Sequence, residues 1–493
     1  MPALPLVTFL MRSRSNATNL LLRWLGATVL MALAVCAAQA REMTMRVRLS
    51  VSANSTRLKV EGFYRQGSKS WRFVNSSGRL LGLGSRIQNL RLLSEGKDLF
   101  IRKLAPGEFA SDENAAEFNY EVDLTPPQAR DDAAHISWLD GQQGYLMLGD
   151  LLPDSAAGPI EVELELPPHW LAQSSSKSKT QWKYELDEKA NAIFFVGAAL
   201  KEKQEKVGST EITFVASGEW AFSRDAAVGR AARIVKEFQG RTGFPLNRPV
   251  TVMLSAFPSN DVQGWSAETR GANVVLLVNR NGSRFSLGQL SVALCHELFH
   301  LWVPNSLHFK GDFDWFFEGF TLYEALCVAV KLRFIDFQEY LDSLSRVYAS
   351  YRSKSDGDLS LIEASQRRWT SGSSQVYDQG MLVGFIVDLK LRKESTNQLS
   401  IDSVYRRLFQ LYGESAADVD GNDALISLLA ESLKDAEFVR ANIQKPAHID
   451  LATALPAYGF RLIADQGQQR ITVTGALNSE QGLLLNSLGY RKR

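Results

Sequence analysis

The 493-residue sequence predicts an α+β chain of several domains: an N-terminal β-sandwich, a mixed α/β segment and a C-terminal helical region. Three observations predict it. Between residues 41 and about 170, apolar and polar residues alternate with a period of two, the pattern of half-buried strands. From Trp182, strand-like runs mix with a long amphipathic stretch at helical spacing. After Phe334 the helical period takes over. With 45% apolar and 22% charged residues, the composition is that of an ordinary globular chain able to bury large cores. This length suits several domains of about 100–200 residues each. No internal repeat or low-complexity tract interrupts it.

Residues 1–40 read as an export signal. Arg12, Arg14 and Arg23 form a basic start without an acid, residues 24–38 form an apolar core, and Ala38-Gln39-Ala40 forms a cleavage site. The apolar core is shorter than the ~20 residues of a membrane span. The expectation is cleavage and export to the periplasm or the medium, with membrane anchoring only if the segment is retained. Removing those three arginines from a net charge of +1 leaves the rest at −2. No basic stripe points to nucleic acid, and no acidic tail to a basic partner.

The β region, residues 41–180, is built from runs such as R-V-R-L-S-V and L-K-V-E-G-F, with further strands expected at 99–102, 117–122 and 160–166. Residues 174–180, S-S-S-K-S-K-T, lack apolar side chains and read as a linker, so the boundary is placed near Thr180. The mixed segment, 181–334, opens with strands at 192–196 and 211–215. A helix follows over 225–239, with Ala227, Val228, Ala231, Ile234, Val235 and Phe238 on one face, and then strands at 250–254 and 273–278.

Residues 296–300 read His-Glu-Leu-Phe-His. On a helix, residues four apart share a face, so both imidazoles can reach one metal ion. Glu297 sits beside them, where a carboxylate can act as general base on a metal-activated water. Ser286 is the expected N-cap of this helix and Pro304 lies just past its end. The chain holds six histidines, and at that content the pattern arises by chance in on the order of one chain in several hundred. A third ligand is available in Glu318, separated from His300 by seventeen intervening residues, in the first turn of a second helix expected from Trp315 through Leu332. The plain alternative for Glu318 is a solvated acid at a helix start. Two His and one Glu leave one position of a tetrahedral zinc open, as catalytic sites require.

H-E-L-F-H-L-W-V-P-N followed by W-F-F-E-G-F-T-L-Y resembles the gluzincin metallopeptidases, and most of all the glycyl aminopeptidase family and related zinc aminopeptidases. Trp302, Asn305, Gly319, Thr321 and Tyr323 stand at the expected offsets. Val376-Tyr377-Asp378-Gln379-Gly380 is similar to a block whose Tyr stabilises the oxyanion in these enzymes, with Gln379 in place of the usual Lys. The likeness runs well from about Pro249 to Arg392 and only loosely on the flanks.

The resemblance implies a thermolysin-like zinc catalytic domain over 181–334 and one zinc per chain, held by His296, His300 and Glu318. It further implies Glu297 as general base, Tyr377 as oxyanion donor and a peptide substrate, with aminopeptidase activity. Trp302, Asn305 and Tyr323 become supports of the site. Glu268, in Gly264-Trp265-Ser266-Ala267-Glu268-Thr269, is the nearest counterpart of the acid that holds a substrate's free amine, although Thr269 departs from the family pattern and an ordinary loop acid is the alternative. Glu324 falls one place short of the usual outer acid, where Ala325 stands. Residues 273–279 are the expected edge strand for substrate backbone.

Residues 335–450 are expected to form the helical domain that completes the cleft, with helices at 336–351, 377–392, 401–412 and 422–433. The tail, 451–493, is shorter than the roughly 90–100 residues of the PDZ-like domain found in some relatives, so none is expected. Cys295 and Cys327 fall in the two motif helices; the sequence leaves their pairing open and favours two buried small hydrophobes. His169, His308 and His448 have no ligand spacing. Two other classes stand beside the peptidase: a zinc-binding relative without turnover, and a structural protein carrying an accidental motif.

Overall fold

The computed structural model describes residues 43–128, 133–155, 158–259, 264–279, 287–353, 359–413, 419–465 and 468–491. The export-signal reading of residues 1–40 and the Ser286 cap lie outside them. Among the described residues no helix is long and apolar enough to cross a membrane.

Two-residue periodicity builds the first layer. In Met45–Val51, Met45, Val47, Leu49 and Val51 point inward while Arg46 and Arg48 point out. This strand pairs with Arg57–Arg72 on one side and, in parallel, with Ile160–Glu165 on the other, in a nine-stranded sheet. Lys183–Leu186 and the short strand Ser178–Thr180 extend that sheet, so the end of the polar stretch read as a linker is itself a strand. A second sheet of four strands includes Gln143–Met147 and Ile193–Gly197. Its inner face, with Leu146, Phe194 and Val196, shares one core with Leu49, Val60 and Val122 of the nine-stranded sheet. The N-terminal sheets therefore draw on residues as far as Gly197.

The opposite face of the four-stranded sheet is also buried. Tyr145, Met147, Ile193 and Phe195 pack on Val215, Met253, Val275 and Leu277 of a five-stranded sheet. Burial on both faces is why Ile193–Gly197 reads I-F-F-V-G without alternation. The five strands run Lys201–Val207, Thr210–Ala216, Val250–Ala256, Asn273–Val278, Trp265–Arg270 in spatial order.

This order corrects the expected substrate strand. Asn273–Val278 is paired on both sides, parallel to Val250–Ala256 and antiparallel to Trp265–Arg270, and every residue in it is buried. The edge that lies against the site is Trp265–Arg270, whose W-S-A-E-T-R is too polar for an interior strand.

Helices cover the far face of the five-stranded sheet. Helix α1, Arg224–Thr242, starts where the Ser223 hydroxyl accepts from Ala226 N and ends at Gly243, at φ 67°. All six residues of its expected apolar face are buried. Helix α2, Leu287–Phe299, carries the first motif. A π-turn, Trp315–Phe320, leads into α3, Thr321–Lys331; a second π-turn, Gln375–Gln379, leads into α5, Gly380–Glu394. Between these lies α4, Phe337–Ser353. One continuous core runs from Ile212 under the sheet through these helices to Leu485 in the tail. The tail adds a hairpin, Phe460–Asp465 with Gln468–Val473, and a closing helix, Ser479–Ser487, that the sequence pattern did not announce.

Candidate active site

His296 and His300 project from the C-terminal end of α2 with their Nε2 atoms 3.3 Å apart. His300 Nδ1 lies 3.0 Å from the Val303 carbonyl, so this nitrogen carries the hydrogen and Nε2 keeps a free lone pair. His296 Nδ1 is buried without a partner among the described residues.

Glu318 completes the group. Its Oε2 lies 3.4 Å from His296 Nε2 and 3.7 Å from His300 Nε2. Ligands about 2.05 Å from a tetrahedral zinc are separated by about 3.3 Å. The three atoms therefore form a triangle of the right size, and they fit zinc. Glu297 is also close, since its ligand atoms and those of the two His fall within 4.8 Å of one another. But its nearer oxygen stands 4.0 Å from His296 Nε2, too far for a ligand edge. Its Oε2 instead accepts from the Thr269 hydroxyl at 2.7 Å, and the same hydroxyl reaches the Glu297 carbonyl. By these distances Glu318 fits a third ligand position better than Glu297, which is held beside the group.

Glu318 is buried, not a solvated helix-start acid. Burial alone would raise its carboxyl; Arg368, then His300 and His296, bring it down to about 2. Arg368 Nη2 pairs with Glu318 Oε1 at 2.6 Å and donates to the Tyr377 hydroxyl at 2.6 Å, while Nη1 donates to Asp314 at 2.8 Å. The guanidinium also lies over the rings of Phe317, Trp369 and Tyr377. One arginine thus ties the third ligand to the tyrosine. Because the Tyr377 oxygen accepts from Arg368, its own proton remains available to a substrate. Burial holds that phenol well above its ordinary pKa, so the proton stays on.

Backbone packing sets this register. The first π-turn, which carries Glu318, crosses the junction of the second, which carries Tyr377, with α5 at Gly319 and Gly380. A Cβ on Gly319 would lie 2.5 Å from Gly380 Cα, and one on Gly380 would lie 2.7 Å from the Trp315 carbonyl oxygen. Only glycine permits this approach.

Glu268 lines the same cleft, on the edge strand. Its carboxylate is already engaged, with Oε2 2.5 Å from His135 Nδ1 and Oε1 3.0 Å from Arg270 Nε. Trp302 Nε1 donates to the Phe244 carbonyl, Asn305 Nδ2 to the Gly271 carbonyl and the Tyr323 hydroxyl to Asp388, so all three act as braces. Glu324 pairs with Arg241 away from the site. Cys295 and Cys327 are unpaired thiols. His169, His308 and His448 are exposed and do not line the cleft. Sequence reasoning missed Arg368, Thr269 and His135. Thr269 adjoins Glu268 but a threonine there carries no signal, while Arg368 and His135 stand at no fixed spacing from the motifs, His135 lying 133 residues before its partner.

The cleft has a volume of about 430 Å³, and residues 77–79, at the turn of a separate two-stranded hairpin, are part of its lining. No family model and no curated protein matches the sequence. Solved structures do. The aminopeptidase N family protein from Idiomarina loihiensis is 18% identical with a TM-score of 0.72, covering 88% of this chain and 82% of that one. The M1 zinc metallopeptidase from Deinococcus radiodurans, solved as a mutant bound to Tyr-Ser-Ala, is 13% identical with a TM-score of 0.55, covering 83% of this chain and 95% of that one. A two-domain M1 zinc metallopeptidase bound to L-tryptophan gives 13% identity and a TM-score of 0.54, over 83% of this chain and 95% of that one. The chain has a gluzincin aminopeptidase-like fold.

Proposed function

We propose that the protein is a zinc-dependent peptidase that hydrolyses peptide bonds. The observation that carries this is the triangle of His296 Nε2, His300 Nε2 and Glu318 Oε2, with Glu297 and Tyr377 at the same cleft. One zinc per chain, held there, would supply a Lewis acid and lower the pKa of water to about 7.

The chain's own residues do the rest. Glu297 has one oxygen fixed by Thr269 and the other turned toward His296, where it takes the proton of the attacking water. The same carboxyl then returns that proton to the leaving amine. Tyr377 donates its phenolic hydrogen to the oxygen that gains charge in the transition state. Arg368 keeps Glu318 ionised and the tyrosine aimed.

The finer layout follows the same reading: a β-sandwich before the catalytic domain, a thermolysin-like domain around α2 and α3, and helices closing the cleft. Export, with residues 1–40 removed, belongs to the proposal and rests on the sequence of that segment.

The test pairs the chain from Arg41 with its Glu297→Gln variant on a mixed peptide library read by mass spectrometry. Cleavage by the first and none by the second supports the reading. Bound zinc without cleavage in either makes the protein a silent zinc binder.

A further inference from the structure

The carboxylate that the resemblance would give to a free amine is not free to take one. Glu268 is gripped by two side chains, the imidazole of His135 at Oε2 and the guanidinium of Arg270 at Oε1. Arg270 Nη2 also donates to the His135 carbonyl at 2.8 Å, so the three residues form one braced unit. They come from different layers: His135 from the segment between the N-terminal sheets, Glu268 and Arg270 from the edge strand.

The charge of this unit decides what it attracts. Glu268 stays ionised, since His135 and Arg270 outweigh the effect of burial on it. Arg270 cancels that charge. With His135 neutral the unit is neutral; with His135 protonated it is cationic. Burial opposes charge on His135, but Glu268, with Glu297 beyond it, outweighs burial and Arg270. In neither state is the unit anionic, so a substrate ammonium finds no net attraction and must displace the groups already seated on Glu268.

What the unit offers instead is donors. Among the described residues His135 Nε2 has no hydrogen-bond partner, and the ring lines the cleft. Arg79 lines the same side of the cleft, exposed. An N–H and a guanidinium suit a carbonyl oxygen, not an ammonium.

We propose that His135 and Arg270 make the Glu268 subsite one for an uncharged acyl-amide, so that the cleft takes peptides whose chain is acylated or continues there, and not peptides ending in a free ammonium. This rests on the peptidase reading for its site but departs from amine-anchored cleavage.

The test is a binding measurement, which needs no turnover. The zinc-loaded Glu297→Gln protein is titrated by calorimetry at pH 7 with Ala-Ala-Phe-Ala, its amino terminus either free or acetylated. The proposal expects the acetylated peptide to bind at least as tightly as the free one. It also expects His135→Gln, which removes the cation but keeps a donor to Glu268, to shift the ratio about fivefold or more toward the free peptide. Free peptide bound about tenfold tighter before that change overturns the proposal, as does binding of neither peptide or a ratio that His135→Gln leaves unmoved. The peptidase reading is judged separately, by library cleavage that Glu297→Gln abolishes. Preference for the acetylated peptide without any turnover would sink that reading and leave this one standing.

Discussion

A single methyl group at Gly319 should pull the two halves of the site apart. Gly319→Ala places a Cβ 2.5 Å from Gly380 Cα, 2.6 Å from Gly380 C and 2.7 Å from the Val376 carbonyl oxygen. Carbon atoms in contact sit about 3.5–4.0 Å apart, so the π-turns must separate by about 1 Å. All three obstacles are backbone, and no rotamer change relieves them. Overpacking of this kind costs about 1–3 kcal/mol. For a unit of roughly 150–250 residues, each kcal/mol lowers Tm by about 2–4 °C, giving a fall of roughly 2–12 °C. The larger effect should be on rate, because the turn carrying Tyr377 moves relative to Glu318, and a 1 Å misplacement can cost about 10²-fold. The assay is calorimetric melting together with steady-state peptide cleavage. Gly240→Ala is the control: it lies inside α1 with nothing within 4 Å of its added Cβ. Helix propensity alone should make that change mildly stabilising, by up to about 1 kcal/mol. If Gly319→Ala melts and turns over like the wild type, the two turns are not held by this crossing and the argument fails.

Other consequences concern the donor and the cation pair. Tyr377→Phe should keep zinc and lose about 10²–10³-fold in kcat, the usual effect of removing one oxyanion donor; full activity would remove Tyr377 from the transition state. His135→Gln should flatten the alkaline side of the stability profile. Its pKa is raised in the folded chain, so the stability it contributes is fully present below the unfolded value of about 6.5 and is lost as pH rises through the folded value. Melting followed from pH 6 to pH 9 should therefore fall more steeply for the wild type than for the variant. Equal slopes would mean that His135 carries no extra proton in the folded protein.

The sequence made the His and Glu cluster legible because its residues lie close along the chain. His296, Glu297 and His300 share one helix end, and Glu318 returns on the next element. Periodicity located α1, α4 and the strand Met45–Val51 closely, since each has one buried face, and α5 as a long apolar run that is buried all round. It failed where both faces are buried or where the partner is distant. Asn273–Val278 looked like a substrate edge because its hydrophobic run says nothing about which neighbours it has. The π-turns leave no periodic trace, although Gly319 and Gly380 mark them once the crossing is seen. Arg368 and His135 were silent because long-range ion pairs have no spacing rule. Glu268 was found as a position, but its two cations, which change what it can bind, were not.

Zinc content in three proteins tests the central assignment most directly: the wild type, Glu318→Ala and Glu297→Gln, each equilibrated with zinc, dialysed and counted by elemental analysis. The account predicts one zinc per chain in the wild type and in Glu297→Gln, and loss of zinc from Glu318→Ala. Zinc kept by Glu318→Ala and lost from Glu297→Gln would make Glu297 the ligand and contradict the site as built here.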